Sequence, residues 1–237
     1  MMPRWDCVFV DVDTQHDFLD TTGALYVPAS NEIVPNLRRL VAAAAACKIP
    51  ILSSADNHPP NDPEFQRFPP HCVRGTSGQA KLRQTLLDNR TVFEPADRIT
   101  DPASLLEIYA QIVFHKTTFD VFSNPNFERL IDAIDVGRYV VFGVATDYCV
   151  RAAVLGLRRR GRQVMLVGDA IRAVAARTEA EACREFHAAG VIWTTTDHVV
   201  DMVGRAAKDA AGADSAFEAS RRDGGCLLYT SPSPRDS

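Results

Sequence analysis

The sequence predicts a single three-layer α/β/α domain built on a mostly parallel, six-stranded sheet. Three observations carry this. Short apolar runs such as CVFVDV (residues 7–12) and YVVFG (residues 139–143) have the composition of strands covered on both faces. They alternate with longer stretches of helical spacing, and that alternation builds parallel sheets through right-handed crossovers. A chain of 237 residues, 46% hydrophobic and 24% charged, suits one α/β domain with a sizeable core.

In order, the first strand spans residues 7–12. A helix with an alanine run follows at 31–47, then strands at 50–54 (PILSS) and 111–115 (QIVFH). A helix at 125–134 precedes the fourth strand at 139–143, and a helix over 147–160 precedes the fifth at 163–167 (QVMLV). A helix at 178–189, a short sixth strand at 191–194 and a last helix near 198–208 complete the domain, which is expected to span residues 1–211. Periodicity fades from Gly212, so residues 212–237 are expected to be a disordered tail. Its end, CLLYTSPSPRDS, resembles a conceptual translation running into adaptor DNA and is expected to be non-native.

Composition excludes several function classes. The formal net charge of −4 leaves no broad basic field for nucleic acid. The cluster Arg158-Arg159-Arg160 with Arg162 fits a helix end whose cations complement the dipole. No apolar run approaches the roughly 20 residues of a membrane span. The start, MMPRWD, enters the first strand without the apolar region of a signal peptide, and six cysteines in a chain of this size read as reduced thiols of a cytoplasmic protein.

Four segments carry reactive groups, each following a predicted strand. After the first strand come Asp11, Asp13 and Asp17, too close in like charge to be there without purpose. After the second comes a proline-rich segment, residues 56–78, without helical or strand period; loops of this length inside compact domains are usually functional or disordered. It holds Asp56, His58, Glu64 and His71, a donor set for one divalent transition metal: zinc first, manganese or iron as alternatives. Cys72 is a weaker competitor for the His71 position. Lys116 follows the third strand. After the fourth, a tight turn leads to Cys149 at a helix start, where the dipole and free N–H groups favour a thiolate and can hold an oxyanion. In open α/β sheets, sites form beyond the carboxyl ends of the strands, so these groups are expected to converge.

At these residues the chain resembles the isochorismatase-like cysteine hydrolases, with their Rossmann-like fold, and within them the nicotinamidase/pyrazinamidase group. The resemblance runs from about Cys7 to Asp201. It rests on Asp13-Thr14-Gln15-His16-Asp17-Phe18, on Asp56, His58 and His71-Cys72-Val73-Arg74-Gly75-Thr76, on Lys116, and on Ala145-Thr146-Asp147-Tyr148-Cys149-Val150. It implies hydrolysis of nicotinamide to nicotinate and ammonia, as in NAD salvage, through a thioester on Cys149. Asp13 and Lys116 complete the catalytic set, and a cis peptide joins Val144 to Ala145 beside the oxyanion site. Glu64 falls where a variable fourth metal ligand stands. Phe18, Phe68 and Tyr148 line the substrate, with Phe68 where many relatives carry tryptophan. A small-molecule amide is the implied partner and a homo-oligomer the implied assembly.

Three alternatives remain at this point. The same site could act on another amide, a ureide or isochorismate. Asp11-Val12-Asp13 and Gly168-Asp169 fit a phosphatase of the haloacid-dehalogenase type, although no second carboxylate follows Asp169. A non-catalytic scaffold on the same fold is the third, against which the intact Asp13, Lys116 and Cys149 argue.

Overall fold

The computed structural model describes residues 5–223. Its centre is a wholly parallel sheet of seven strands: β1 (Trp5–Val12), β2 (Ile51–Asp56), β3 (Arg90–Phe93), β4 (Gln111–Lys116), β5 (Val136–Val144), β6 (Val164–Arg172) and β7 (Ile192–Thr194). They lie in the order β3-β4-β2-β1-β5-β6-β7. On one side of β1 the chain lays down β2, then the edge strand β3, then β4 between them; it then returns to β1 and winds outward through β5, β6 and β7 on the other. Between β1 and β5 lies the switch point at which such folds open a crevice.

The alternation of each strand sorts the core into two layers. Val8, Val10 and Val12 of β1 pack with Phe127 and Leu130 of α4 (Pro125–Ala133), Val150 and Val154 of α5 (Cys149–Arg159) and Phe186 of α6 (Ala176–Ala188). Cys7 and Phe9 point the other way, onto α2 (Val34–Cys47) and α7 (Thr196–Asp223), with Phe18 and Leu19 of the short α1 (His16–Leu19). Leu37, Leu40, Val41 and Ala44 are the buried face of α2, at the i, i+3, i+4, i+7 spacing that puts one stripe of a helix against a sheet. Each such fully buried aliphatic side chain contributes about 1.5–3 kcal/mol.

The six expected strands are all present, and β3 is a seventh. Its four residues alternate exposed and half-buried along the sheet edge, too short and too polar to stand out in the sequence; the free edge of β4 recruits it. Helix α3 (Pro102–Ile108) was not expected either; Asp101 caps it through the Ser104 N–H, with proline in the first turn. Helix α7 spans Thr196–Asp223 and so extends past residue 211, where the sequence periodicity fades. Alanine-rich sequence sustains a helix by propensity where no apolar stripe remains. Residues 224–237, with Cys226, lie outside the described residues.

The arginine cluster is tied down by structure. Arg158 donates to the Ala189 carbonyl at 2.7 Å, Arg162 donates to that of Ile131 at 2.8 Å, and Arg160 pairs with Glu128 and stacks over Phe122 at 3.8 Å. Among the described residues no helix is long and apolar enough to cross a membrane, and Cys7, Cys47, Cys72, Cys149 and Cys183 are free thiols.

Candidate active site

The parallel register does most of the assembly. Asp56 at the end of β2 lies opposite Lys116 at the end of β4, and Val12 at the end of β1 lies opposite Gly143 in β5. Gly143 permits this approach: its φ is +119°, and a Cβ there would stand 2.0 Å from the Val12 carbonyl oxygen. Asp13, directly after β1, takes the left-handed conformation with φ +48°, which turns it out of the strand. Helix α5 begins at Cys149, and the Val144–Ala145 peptide is cis.

At the centre, Lys116 Nζ lies 2.7 Å from Asp13 Oδ2, 2.5 Å from Asp56 Oδ1 and 3.6 Å from Cys149 Sγ. All four residues are buried. Ser54 Oγ donates to Asp13 Oδ1 at 2.6 Å, and the Cys149 thiol donates to the same carboxylate. Burial pushes the Asp13 carboxyl above its ordinary range, against the pull of the Lys116 ammonium. Burial acts in the same sense on Asp56, but the Lys116 ammonium and His58 prevail and hold it down. Burial alone would lower Lys116; the two carboxylates outweigh it and keep the ammonium charged. Burial pushes the Cys149 thiol well up, and Asp13 and Asp56 add to that against Lys116. Burial is thus the largest influence on the Cys149 thiol, and it acts against the thiolate that the helix start favours.

The amides around the nucleophile are mostly committed. Those of Tyr148 and Val150 donate to the Ala145 carbonyl and that of Thr146 to the Arg172 carbonyl. Among the described residues, the Ala145 and Cys149 amides have no such partner, which leaves them for an oxyanion. Asp147 fastens this turn to α6, accepting from the Val174 N–H at 3.0 Å and from the Thr178 hydroxyl at 2.5 Å.

The long loop folds back on itself through a parallel bridge between His58 and Val73. His58 N–H donates to the Cys72 carbonyl and Arg74 N–H to that of His58. This puts the rings of His58 and His71 4.8 Å apart, and one donor atom each from Asp56, His58 and His71 within 4.8 Å of the others. The set fits a transition-metal ion. His58 Nε2 is buried without a hydrogen-bond partner, 3.7 Å from Asp56 Oδ2, while its Nδ1 faces Asp62 at 3.0 Å. His71 Nδ1 donates to the Pro69 carbonyl at 2.8 Å, freeing its Nε2. Glu64 does not join this group; it stands with His58 and Asp62, and burial raises its carboxyl. Cys72 is outside both groups. Its N–H donates to Asp17 Oδ2 at 2.6 Å, and burial pushes its thiol well up.

Over the thiol opens a pocket of about 130 Å³ lined by Phe18, Phe68, Tyr148, Ala145 and Cys149, with Asp56, Glu64 and His71 on one wall. An apolar cavity of about 150 Å³ accommodates a benzene-sized ring. Leu25, Val27, Phe119 and Val174 also line it, and sequence reasoning missed all four. Phe119 packs on Phe68 and Tyr148 at centroid separations of 5.9 and 5.1 Å, so three rings form the mouth. Nothing local to the sequence marks it. Replacing Phe119 with Ala is expected to raise the KM for a ring-bearing substrate about tenfold, with kcat changed less, because the lost contact is aromatic packing; steady-state kinetics checks this.

Asp11 and Asp169 do not share the site. Asp11 is held by Lys81, and Asp169 accepts from the N–H and hydroxyl of Thr196 at the start of α7. The haloacid-dehalogenase reading fails on that geometry.

The isochorismatase domain family matches residues 7–198. The chain belongs to the isochorismatase family. Among family relatives, the nicotinamidase of Escherichia coli is 28% identical over 212 residues, covering 78% of this chain and 93% of its own. A probable inactive nicotinamidase of Arabidopsis thaliana is 25% identical over 164 residues, 65% of this chain and 74% of its own. The crystal structure of Pyrococcus horikoshii pyrazinamidase in complex with zinc superposes with a TM-score of 0.65 at 24% identity, covering 80% of this chain and 99% of that one. It shares the fold.

Proposed function

We propose that the protein is a metal-dependent nicotinamidase, hydrolysing nicotinamide to nicotinate and ammonia. The observation that carries this reading is the cluster of Cys149, Lys116 and Asp13 beneath a ring-sized apolar pocket. The similarity to the E. coli nicotinamidase supports it.

Asp13 takes the Cys149 proton as sulfur attacks the amide carbon. The N–H groups of Ala145 and Cys149 receive the oxyanion, and Lys116 offsets charge developing beside Asp13. Asp13 passes the proton to the departing nitrogen, which leaves as ammonia and gives the thioester. Water attacks the thioester, losing a proton to Asp13; the acid departs and the thiol is restored. Phe18, Phe68 and Tyr148 would hold the ring. Asp56, His58 and His71 would hold the divalent cation, which supplies a Lewis-acid site for a ring nitrogen. Zinc is the first choice, supported by the zinc complex of the Pyrococcus protein, with manganese and iron as alternatives. Five free thiols among the described residues accord with a reducing, cytoplasmic setting, and the proposed reaction would belong to NAD salvage.

A neutral aromatic amide is favoured over ureido acids or isochorismate. Those substrates carry a carboxylate, and among the described residues no lysine or arginine lines the pocket to meet one.

Ammonia release from nicotinamide is expected to be lost on chelation and restored by one of zinc, manganese or iron(II). Release that survives chelation removes the metal from the reading. No release by folded, fully metallated protein transfers the site to another amide or ureide.

A further inference from the structure

Behind Asp13 lies a second buried ion pair that the chemistry above does not use. Asp11 is fully buried, and Lys81, only 7% exposed, reaches its Oδ2 at 3.1 Å. Apolar residues of similar volume would often serve stability as well or better than such a pair. Its contacts point to another task.

Lys81 Nζ donates to the Ser54 carbonyl at 2.9 Å, and that same carbonyl accepts from the Asp13 N–H at 3.3 Å. The Ser54 hydroxyl is the donor to Asp13 Oδ1. Asp11 accepts from Thr14 Oγ1 at 2.9 Å and from Ser53 Oγ at 3.0 Å. The pair thus grips Thr14, which follows Asp13 in the chain, and Ser53 and Ser54 on the neighbouring strand. An antiparallel bridge between Gln15 and Lys81, with Leu82 N–H donating to the Thr14 carbonyl at 2.9 Å, brings Lys81 in. Between these grips Asp13 holds its left-handed backbone, φ +48°, a region that few residues other than Gly, Asn and Asp occupy.

We infer that Asp11 and Lys81 form a positioning pair that fixes the Asp13 carboxylate toward Lys116 and Cys149. Neither residue lines the substrate pocket, so the pair acts through Ser54 and Thr14. The inference rests on Asp13 as the proton acceptor of Cys149.

The test is the neutral double variant D11N/K81M, which leaves no lone buried charge. Its kcat for ammonia release is expected to fall about tenfold, part of the total effect of a general base, with KM unchanged. Alkylation of Cys149 by iodoacetamide is expected to slow in parallel, because the thiol has lost a well-placed proton acceptor. A folded double variant with wild-type kcat and alkylation rate overturns the inference. If the double variant does not fold, the pair of substitutions Thr14→Val and Ser54→Ala decides instead: it removes both side-chain links, and the same two readouts are expected to fall or, unchanged, to overturn the pair's role. Alkylation needs no substrate. If wild-type protein releases no ammonia from nicotinamide, the proposed substrate falls while the alkylation comparison still judges the pair.

Discussion

Replacing Cys149 with Ala is expected to lower ammonia release at least about 10⁴-fold, the scale of removing a covalent nucleophile whose partners then have nothing to activate. Sulfur is the atom at which the site converges. It sits at the base of the pocket, 3.6 Å from Lys116 Nζ, at the first residue of α5. Its loss removes one buried thiol and leaves Asp13, Lys116 and Asp56 paired as before. Metal content and ligand affinity are therefore expected to persist. Ammonia assay, metal analysis and equilibrium binding of a pyridine carboxamide separate the two effects. Turnover retained by this variant would sink the thioester mechanism.

The second large effect belongs to Lys116. Lys116→Met is expected to abolish turnover and to destabilise the fold by about 3–5 kcal/mol near neutral pH, the usual result of removing one partner from a buried ionic group. Asp13 and Asp56 would then face each other in the interior with no cation between them. The pH dependence follows in sign. In the wild-type protein the Asp56 carboxyl is held down, so its contribution is present above the unfolded pKa and lost as pH falls through the folded one. Without Lys116 both carboxyls move up, and protonation relieves the variant. The deficit relative to wild type is thus expected to be largest in alkaline solution and to narrow on acidification. Urea unfolding of both proteins at two pH values reads this directly, and a deficit that widens as pH falls contradicts it.

The two variants probe features of unequal legibility. Cys149, Lys116, Asp56, His58 and His71 stood out as candidates by their positions after apolar runs, because parallel strands in register deliver their carboxyl ends to one edge, whereas Asp13 was one of three aspartates after the first strand until the family resemblance singled it out. The charge state of Cys149 was not legible. A helix start and a nearby lysine argue for a thiolate, but the balance depends on burial and on how many carboxylates share that lysine. Glu64 shows a similar limit. Its place in the loop made it a ligand candidate; the 3₁₀ turn over Pro63–Gln66 groups it with Asp62 and His58, on the same pocket wall as Asp56 and His71.

The sequence by itself determined the layered parallel fold, the four segments that meet and the residue types of the metal loop. Local periodicity and strand-end position carry that information within a few residues of each group. Only the tertiary structure decided the rest: the edge strand β3, the aromatic mouth with Phe119, the grip of Asp17 on the metal loop, and the pairing of Asp11 with Lys81. Asp11 and Lys81 lie far apart in the chain and meet because residues 80–82 close over residues 14–16. Burial and long-range pairing set the energy of a charge, and neither is a property of the residue's neighbours in sequence.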